Sequence, residues 1–340
     1  MNQAPPIGTQ GVSVLMSCYN GGRWLGEAIE SVLAQTYPDF EFIIVDDGST
    51  DDTLEIIKRY AAKDPRIVFI AKPNTGLGDS LNAGIAKARC AWIARVDQDD
   101  LCEPARLERQ LAFAMEHPEV VLLGSGFVEI NEAGEVVAEH RYPQAHRALV
   151  SRLERLQAFF PHSSAFYSAE AARRAGGYNK LISRAEDWRF WLELSLQGRI
   201  ACLPGPLVKI RKHPGQMSLH GSGVRQICDA AAAAVCHLLL KAGQKDPSAA
   251  RDEAEWTAFR EWVGAKVDEY GIPEQRKAWW EARDKFISSG GGPGGLLRFG
   301  TSLLASGYAL ALLRNKFFGS NLPRRLAGEW AARLNAKPLG

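Results

Sequence analysis

The sequence predicts an α/β fold built on a mainly parallel sheet, and three observations carry that prediction. Between residues 12 and 127, short apolar runs alternate with segments whose apolar residues recur at helical spacing. The runs are apolar at successive positions rather than at every second one, as strands covered on both faces must be. Two of them end in carboxylates, FIIVDDGSTDD at 42–52 and WIARVDQDD at 92–100. In an open α/β sheet, ligands bind beyond the carboxyl ends of strands, so two acidic ends can face one crevice.

The elements follow in order. Val12 to Cys18 is the first strand, closed by Tyr19, Asn20, Gly21 and Gly22. Leu25, Ile29, Val32 and Leu33 share one face of the next helix, expected to end near Thr36 ahead of Pro38. Phe42 to Val45 is the second strand. Ser49 to Asp52 offer N-cap chemistry to a helix carrying Leu54, Ile57 and Ala61. Ile67 to Ala71 is the third strand, and the loop KPNTGLGDS leads into a helix with Leu81, Ile85 and Ala88. Ala91 to Val96 is the fourth. Pro104 begins a helix with Leu107, Leu111 and Ala114, and Val120 to Phe127 is the fifth strand. Five strands and four helices in alternation imply crossover connections.

Beyond residue 128 the alternation weakens, and residues to about 220 mix short strands, loops and a helix at EDWRFWLEL. From Val224 the chain reads as helical. The expected organisation is a disordered lead over 1–10, an α/β domain over 11–222 and a helical C-terminal region over 223–340. The lead lacks a basic residue and an apolar core, so it does not read as a secretory signal.

A hydrophobic content of 46% and a charged content of 24% are those of an ordinary folded protein. The net charge of +2 is unevenly spread: residues 296–340 hold seven Lys or Arg against one Glu. The six cysteines show no paired spacing and read as reduced, buried thiols. The glycine run 290–295, broken by Pro293, reads as a hinge. The apolar stretch that follows is too interrupted by Arg298, glycine, serine and Tyr308 to span a bilayer. A packing helix and an interfacial helix both stay open for 296–325, the latter helped by Arg314, Lys316, Arg324 and Arg325.

Gly48 after Asp46 and Asp47 allows the sharp turn a strand end needs. A carboxylate there can accept hydrogen bonds from a base imide or from ribose hydroxyls, or simply cap a helix. Asp97, Asp99 and Asp100 put three carboxylates within four residues, which repel unless solvated or neutralised. Mg²⁺ or Mn²⁺ takes one or two such carboxylates and fills its other positions with water and phosphate oxygens. Together the two runs point to a nucleotide-activated substrate, with exposed turns as the plainer reading of each.

VSVLMSCYN, FIIVDDGSTD, NTGLGDSLNAG, ARVDQDD and SRAEDWRFWLEL stand in the order and spacing of family 2 glycosyltransferases, which the chain resembles over roughly residues 10–218. The resemblance implies a GT-A fold, Rossmann-like, and an inverting transfer of one sugar from a nucleotide-diphospho-sugar. UDP is the commonest donor nucleotide in that family; the acceptor would be a saccharide or a polyprenyl-linked saccharide. On this resemblance Tyr19, Asn20 and Asp47 line the nucleoside pocket, with Asn74, Gly76 and Asn82 on its border. Arg95 and Asp97 approach the sugar or ribose. DQDD stands at the family's DxD signature, so Asp99 would hold Mn²⁺ or Mg²⁺, with His213 in RKHPGQMS near the phosphate or the metal. Asp187 occupies the position of the base, with Glu186 the lesser candidate. An ordinary aspartate at a helix N-terminus is ionised at neutral pH. His162, Ser163 and Trp188 fall on the acceptor side. Processive members carry a Q-x-x-R-W motif and several membrane spans, neither of which occurs here, so a single transfer is implied. The expected setting is cytoplasmic, with peripheral contact at the inner face of the cell membrane left open, and with no nucleic-acid partner. The rivals are a non-catalytic protein of the same fold and a sugar-1-phosphate nucleotidyltransferase. The latter would need a phosphate-cradling loop after the first strand.

Overall fold

The computed structural model describes residues 11–216, 223–249, 253–272 and 321–335, with isolated positions between 274 and 305. The chain divides into two compact units, residues 1–150 with 159–216 and residues 151–158 with 217–340. In the first, strands β1 (Val12–Cys18), β2 (Phe40–Asp46), β3 (Ile67–Ala71) and β4 (Trp92–Asp97) form a parallel sheet in the order β3-β2-β1-β4. Helices α1 (Gly22–Leu33), α2 (Thr53–Ala61) and α3 (Leu77–Lys87) make the crossovers. β2 is buried at every position and β1 at all but one, because helices cover both faces. Leu15 of β1 lies so close to Gly84 of α3 that a Cβ there would sit 2.1 Å from its Cδ1.

The order reverses at β1, since β2 lies on one side and β4 on the other. Register then places Cys18 beside Asp46 and Ser17 beside Asp97. Both acidic runs therefore end next to the same central strand, at the switch point where open sheets bind ligands.

Past β4 the sheet turns mixed. It continues through β5 (Leu101–Cys102), α4 (Arg106–Glu116), β6 (Val120–Ile130), β7 (Val136–His140) and α5 (His146–Glu154). After a 3₁₀ turn at His162–Ser164 come β8 (Phe166–Ser168), α6 (Ala169–Arg174), α7 (Glu186–Gln197) and β9 (Arg199–Arg211). β8 is antiparallel to both β4 and β6, whereas β9 runs parallel to β6 and antiparallel to β5. The sequence expected one strand over 120–127; the structure extends it to Ile130 and pairs it along thirteen-residue β9. β9 absorbs Pro204, Gly205 and Pro206 through irregularities opposite Ser125 to Phe127. Arg106, fully buried on α4, donates from Nη2 to Arg95 O at 2.7 Å and Ala165 O at 3.1 Å, tying β4 to the 3₁₀ turn.

The capping expected of Ser49 to Asp52 takes another form. Asp52 makes no side-chain cap on α2. Asp51 Oδ1 instead accepts from Thr53 N at 3.1 Å at the start of α2, and the loop is tied to the β1–α1 loop: Asn20 N donates to Ser49 Oγ, Gly21 N to Thr53 Oγ1 and Gly22 N to Asp51 Oδ2. Joining two ligand-side loops satisfies backbone donors that an isolated turn would leave to water.

In the second unit, helices α8 (Gly223–Lys241), α9 (Glu253–Glu269) and α10 (Leu322–Asn335) pack together. Trp330 meets Phe259 and Trp262, each with ring centroids 4.9 Å apart. Glu154 is held by Lys241 at 2.7 Å and His237 at 3.4 Å. The lead 1–10, the glycine run 290–295 and most of the apolar stretch 296–320 lie outside the described residues. Among the described residues no helix is long and apolar enough to cross a membrane. The six cysteines are unbridged, and all but Cys228 are buried.

Candidate active site

At the end of β2, Asp47 is 3% exposed and both oxygens of its carboxylate accept hydrogen bonds. Oδ1 accepts from Lys72 Nζ and from Thr75 N at 3.0 Å, and Oδ2 accepts from Gly76 N at 2.9 Å. Burial pushes its pKa up, but these bonds outweigh burial and hold it below the usual carboxylate range. Gly48 makes the approach possible: its φ is +74°, and a Cβ there would stand 2.7 Å from Asn74 N. Asn74 itself is exposed on this loop, as is half of Tyr19. Asn20 bonds to the neighbouring loop, accepting from Thr50 N at 2.8 Å. Asn82 bonds to the turn after α6. Its amide exchanges two hydrogen bonds with the backbone of Tyr178, at 2.7 and 2.8 Å, and so pins the turn after α6. Gly177 in that turn has φ +74° and lies against Asn82 Oδ1.

At the end of β4 the carboxylates of Asp97, Asp99 and Asp100 lie within 4.8 Å of one another. Asp97 is gripped by both terminal nitrogens of the buried Arg95 guanidinium. Asp99 Oδ2 is 2.8 Å from His213 Nε2. Asp100 is 3% exposed and accepts from Arg211 N at 3.0 Å. Ser163 Oγ lies between Asp97 and Asp100 and can give its one proton to either, while accepting from Asp97 N at 3.0 Å. Burial first, then the charge of Asp97, raises the pKa of Asp99; burial, then Asp99 and Asp97, raises that of Asp100 well above normal. Hard oxygen donors gathered at this range, with burial and neighbouring charge disfavouring the ionised forms of Asp99 and Asp100, fit a divalent cation such as Mg²⁺ or Mn²⁺.

The third group stands at the start of α7. Glu186 is 8% exposed, its Oε2 has no hydrogen-bond partner, and burial followed by the charge of Asp187 pushes its pKa up to about 8. Half-buried Asp187 accepts from Trp188 N at 2.7 Å. The sequence expected the helix terminus to favour its ionised form. Its pKa is raised instead, by burial first and by the charge of Asp97, against the lowering by Trp188 N and Arg95. Burial outweighs the helix dipole here. Trp188 is half-buried beside it. His162 Nε2 pairs with Tyr178 Oη at 2.8 Å, and burial with the nearby Arg95 charge keeps the imidazole neutral.

Several residues that organise the site carried no sequence signal. Arg211 is 1% exposed at the end of β9. It donates from Nε to Asp99 O at 3.2 Å, from Nη1 to Glu132 O at 3.1 Å and from Nη2 to Glu27 Oε2 at 2.7 Å. Gln98, inside the acidic motif, clamps Tyr19 through both the backbone N–H and the carbonyl of that residue, at 2.9 and 3.2 Å. Lys72 closes Asp47. These partners lie 25 to 184 positions apart, and no local spacing rule reaches so far.

The family profile described as Glycosyl transferase family 2 matches residues 13–181. Putative glycosyltransferase EpsE of Bacillus subtilis (strain 168) is 37% identical over 217 residues, which cover 62% of this chain and 75% of that protein. Amylovoran biosynthesis glycosyltransferase AmsE of Erwinia amylovora is 33% identical over 203 residues, 58% of this chain and 75% of that protein. The crystal structure of S. aureus TarS 1–349 in complex with UDP-GlcNAc superposes with a TM-score of 0.56 over 88% of this chain and 81% of that one. At 20% identity that likeness speaks to the fold alone. With the two acidic strand ends and the α7 carboxylates in one α/β unit, and with relatives above 30% identity matched over three quarters of their length, the chain belongs to glycosyltransferase family 2 and has the GT-A fold.

Proposed function

We propose that the chain transfers one sugar from a nucleotide-diphospho-sugar, with UDP as the nucleotide, to a saccharide or lipid-linked saccharide, inverting the anomeric carbon. The observation that carries this reading is the placement of Asp47 and of the Asp97–Asp99–Asp100 cluster on the two strands flanking β1. Asp47 Oδ2 retains acceptor capacity for a base imide, and the exposed Tyr19 ring offers a stacking face. Asp99, with Asp97 and Asp100 beside it, would hold Mn²⁺ or Mg²⁺, and such an ion neutralises charge on a leaving diphosphate, worth several kcal/mol. Asp187 takes the proton of the acceptor hydroxyl as that oxygen attacks the anomeric carbon opposite the leaving group. Its raised pKa suits a base that must accept a proton near neutral pH. His162, Ser163 and Trp188 border the acceptor side. The name of AmsE, an amylovoran biosynthesis glycosyltransferase, supports a role in polysaccharide assembly.

The nucleotidyltransferase reading loses its support at the β1–α1 loop. The backbone N–H groups of Tyr19, Asn20, Gly21 and Gly22 all donate to side chains of this chain, leaving none to cradle a triphosphate. Thermal unfolding with UDP, GDP, dTDP, CMP and ATP, each with and without Mn²⁺, tests the proposal. A ligand at about 100 times its Kd adds roughly 2.7 kcal/mol. A metal-dependent rise with UDP is expected, and no rise with any nucleotide would sink the reading.

A further inference from the structure

On α1, Leu25, Ala28, Ile29 and Val32 form the buried stripe and enter the hydrophobic core, but the half-buried Trp24 beside them does not join that cluster. Its ring instead meets the segment that follows β9. The indole and the His213 imidazole lie with centroids 4.2 Å apart, tilted by 45°. Two guanidinium groups complete its surroundings, Arg23 at 4.2 Å and Arg211 at 5.7 Å from the ring centroid. Tryptophan is the best aromatic face for such groups, and an aliphatic side chain offers no equivalent.

The segment after β9 holds Asp99 twice. Arg211 Nε donates to the Asp99 carbonyl at 3.2 Å, and His213 Nε2 is 2.8 Å from Asp99 Oδ2. Between them, Lys212 N donates to Ile130 O at 2.8 Å and pins the segment to β6. Gly215 leaves room for the imidazole, since a Cβ there would stand 3.2 Å from His213 Nδ1. The start of α1 supplies the rest of the clasp. Glu27, three residues from Trp24 and so on the same helix face, accepts from Arg211 Nη2 at 2.7 Å. Arg23 reaches Glu132 at 2.6 Å, and the Glu132 carbonyl accepts from Arg211 Nη1 at 3.1 Å. These contacts run from one helix to Asp99 through two side chains, Arg211 and His213. Arg211 is fixed by several hydrogen bonds, whereas the His213 ring is oriented by Asp99 at one edge and by the indole.

We propose that Trp24 is a positioning residue for the acidic end: it fixes the His213 ring, and through it the Asp99 carboxylate, in the orientation that holds a divalent cation. The inference rests on the reading of that end as a cation site and adds a residue outside it that sets its affinity. Removing a group that orients a metal ligand typically weakens the metal by about 10- to 100-fold. Trp24 stands one contact further out, so the lower figure applies.

The experiment is a titration of the metal-free full chain with Mn²⁺, followed by the electron paramagnetic resonance of the free ion. Trp24→Leu, which keeps a good helix former on α1, should weaken Mn²⁺ about ten-fold. Trp24→Phe retains a ring against His213 and should stay within about three-fold of wild type. In a His213→Ala background the route to Asp99 is already cut, so adding Trp24→Leu should change the affinity by less than about two-fold. A merely structural role for Trp24 would show the same loss with and without His213. A second measurement needs no weakened variant of the clasp. In the wild-type chain labelled with fluorotryptophan, the fluorine resonance missing from Trp24→Phe should shift as Mg²⁺ is added. An unaltered Mn²⁺ affinity in Trp24→Leu, a full loss that persists in His213→Ala, no recovery in Trp24→Phe, or a resonance indifferent to Mg²⁺ would overturn the inference. A wild-type chain that takes up no Mn²⁺ would instead defeat the cation reading itself.

Discussion

Asp47 and Asp100 stand at the ends of strands on either side of β1, equally buried at 3% exposure, yet their environments act on them in opposite senses. Around Asp47, a lysine and two backbone N–H groups outweigh burial, so the carboxylate is more stable in the folded chain than in water. Around Asp100, burial and the charges of Asp99 and Asp97 outweigh Ser163 and Arg211 N, so ionisation is costly. Arg95 is committed to Asp97, and Arg211 spends its guanidinium on Asp99 O, Glu132 O and Glu27 rather than on the Asp100 carboxylate. One acidic end therefore has its charge compensated within the chain, and the other has it compensated only in part. Burial alone does not separate a carboxylate whose charge is compensated within the chain from one placed to hold a cation; the balance of counter-charge does.

The largest effect belongs to a residue that feels the second end. Asp187 is raised in part by Asp97 and lowered by Arg95. Replacing it as Asp187→Asn should lower kcat by about 10²- to 10⁴-fold while the Kd for UDP with Mg²⁺ stays within two-fold of wild type (about 0.4 kcal/mol). Steady-state turnover and calorimetry on the same preparations check the split, and an unchanged kcat would remove Asp187 from the reaction.

The same isosteric change at the two ends should act with opposite sign on the metal-free protein. Asp47→Asn loses the charged partner of Lys72 and should cost roughly 1.5–3 kcal/mol of stability. Asp100→Asn removes a poorly compensated charge and should gain on the order of 1 kcal/mol. Urea unfolding in EDTA measures both, and losses of similar size would erase the distinction.

A smaller effect follows from proton linkage. The folded pKa of Asp47 lies below its unfolded value, so its contribution is present above the ordinary carboxylate range and is lost as pH falls through the folded value. Glu186 is raised to about 8, so its effect runs the other way: stability declines as pH rises from the ordinary glutamate range to about 8. Urea midpoints across pH should therefore show a flattened acid limb in Asp47→Asn and a flattened neutral decline in Glu186→Gln. Parallel curves for wild type and both variants would contradict the assignments.

Much of this was legible in the sequence where chemistry is local. The parallel half of the sheet announces itself because strands covered on both faces must be apolar at successive positions, as in FIIV and VSVLM. The acidic ends are visible for the same reason: carboxylates directly after such runs stand out. β9 was hidden by Leu203-Pro204-Gly205-Pro206, which reads as a loop and is carried by irregular pairing with β6. Two-residue β5 is too short for any periodicity. In the site, Lys72 and Arg211 are single polar residues whose meaning comes from partners far along the chain. The electrostatic sign of Asp187 was missed because the helix terminus is visible in sequence and burial is not.

The most direct test of the contrast is Mn²⁺ binding to the metal-free protein, followed by the electron paramagnetic resonance of the free ion. The account predicts one Mn²⁺ bound per chain in wild type and in Asp47→Asn, with binding lost in Asp99→Ala. Loss of the ion in Asp47→Asn, or its retention in Asp99→Ala, would contradict it.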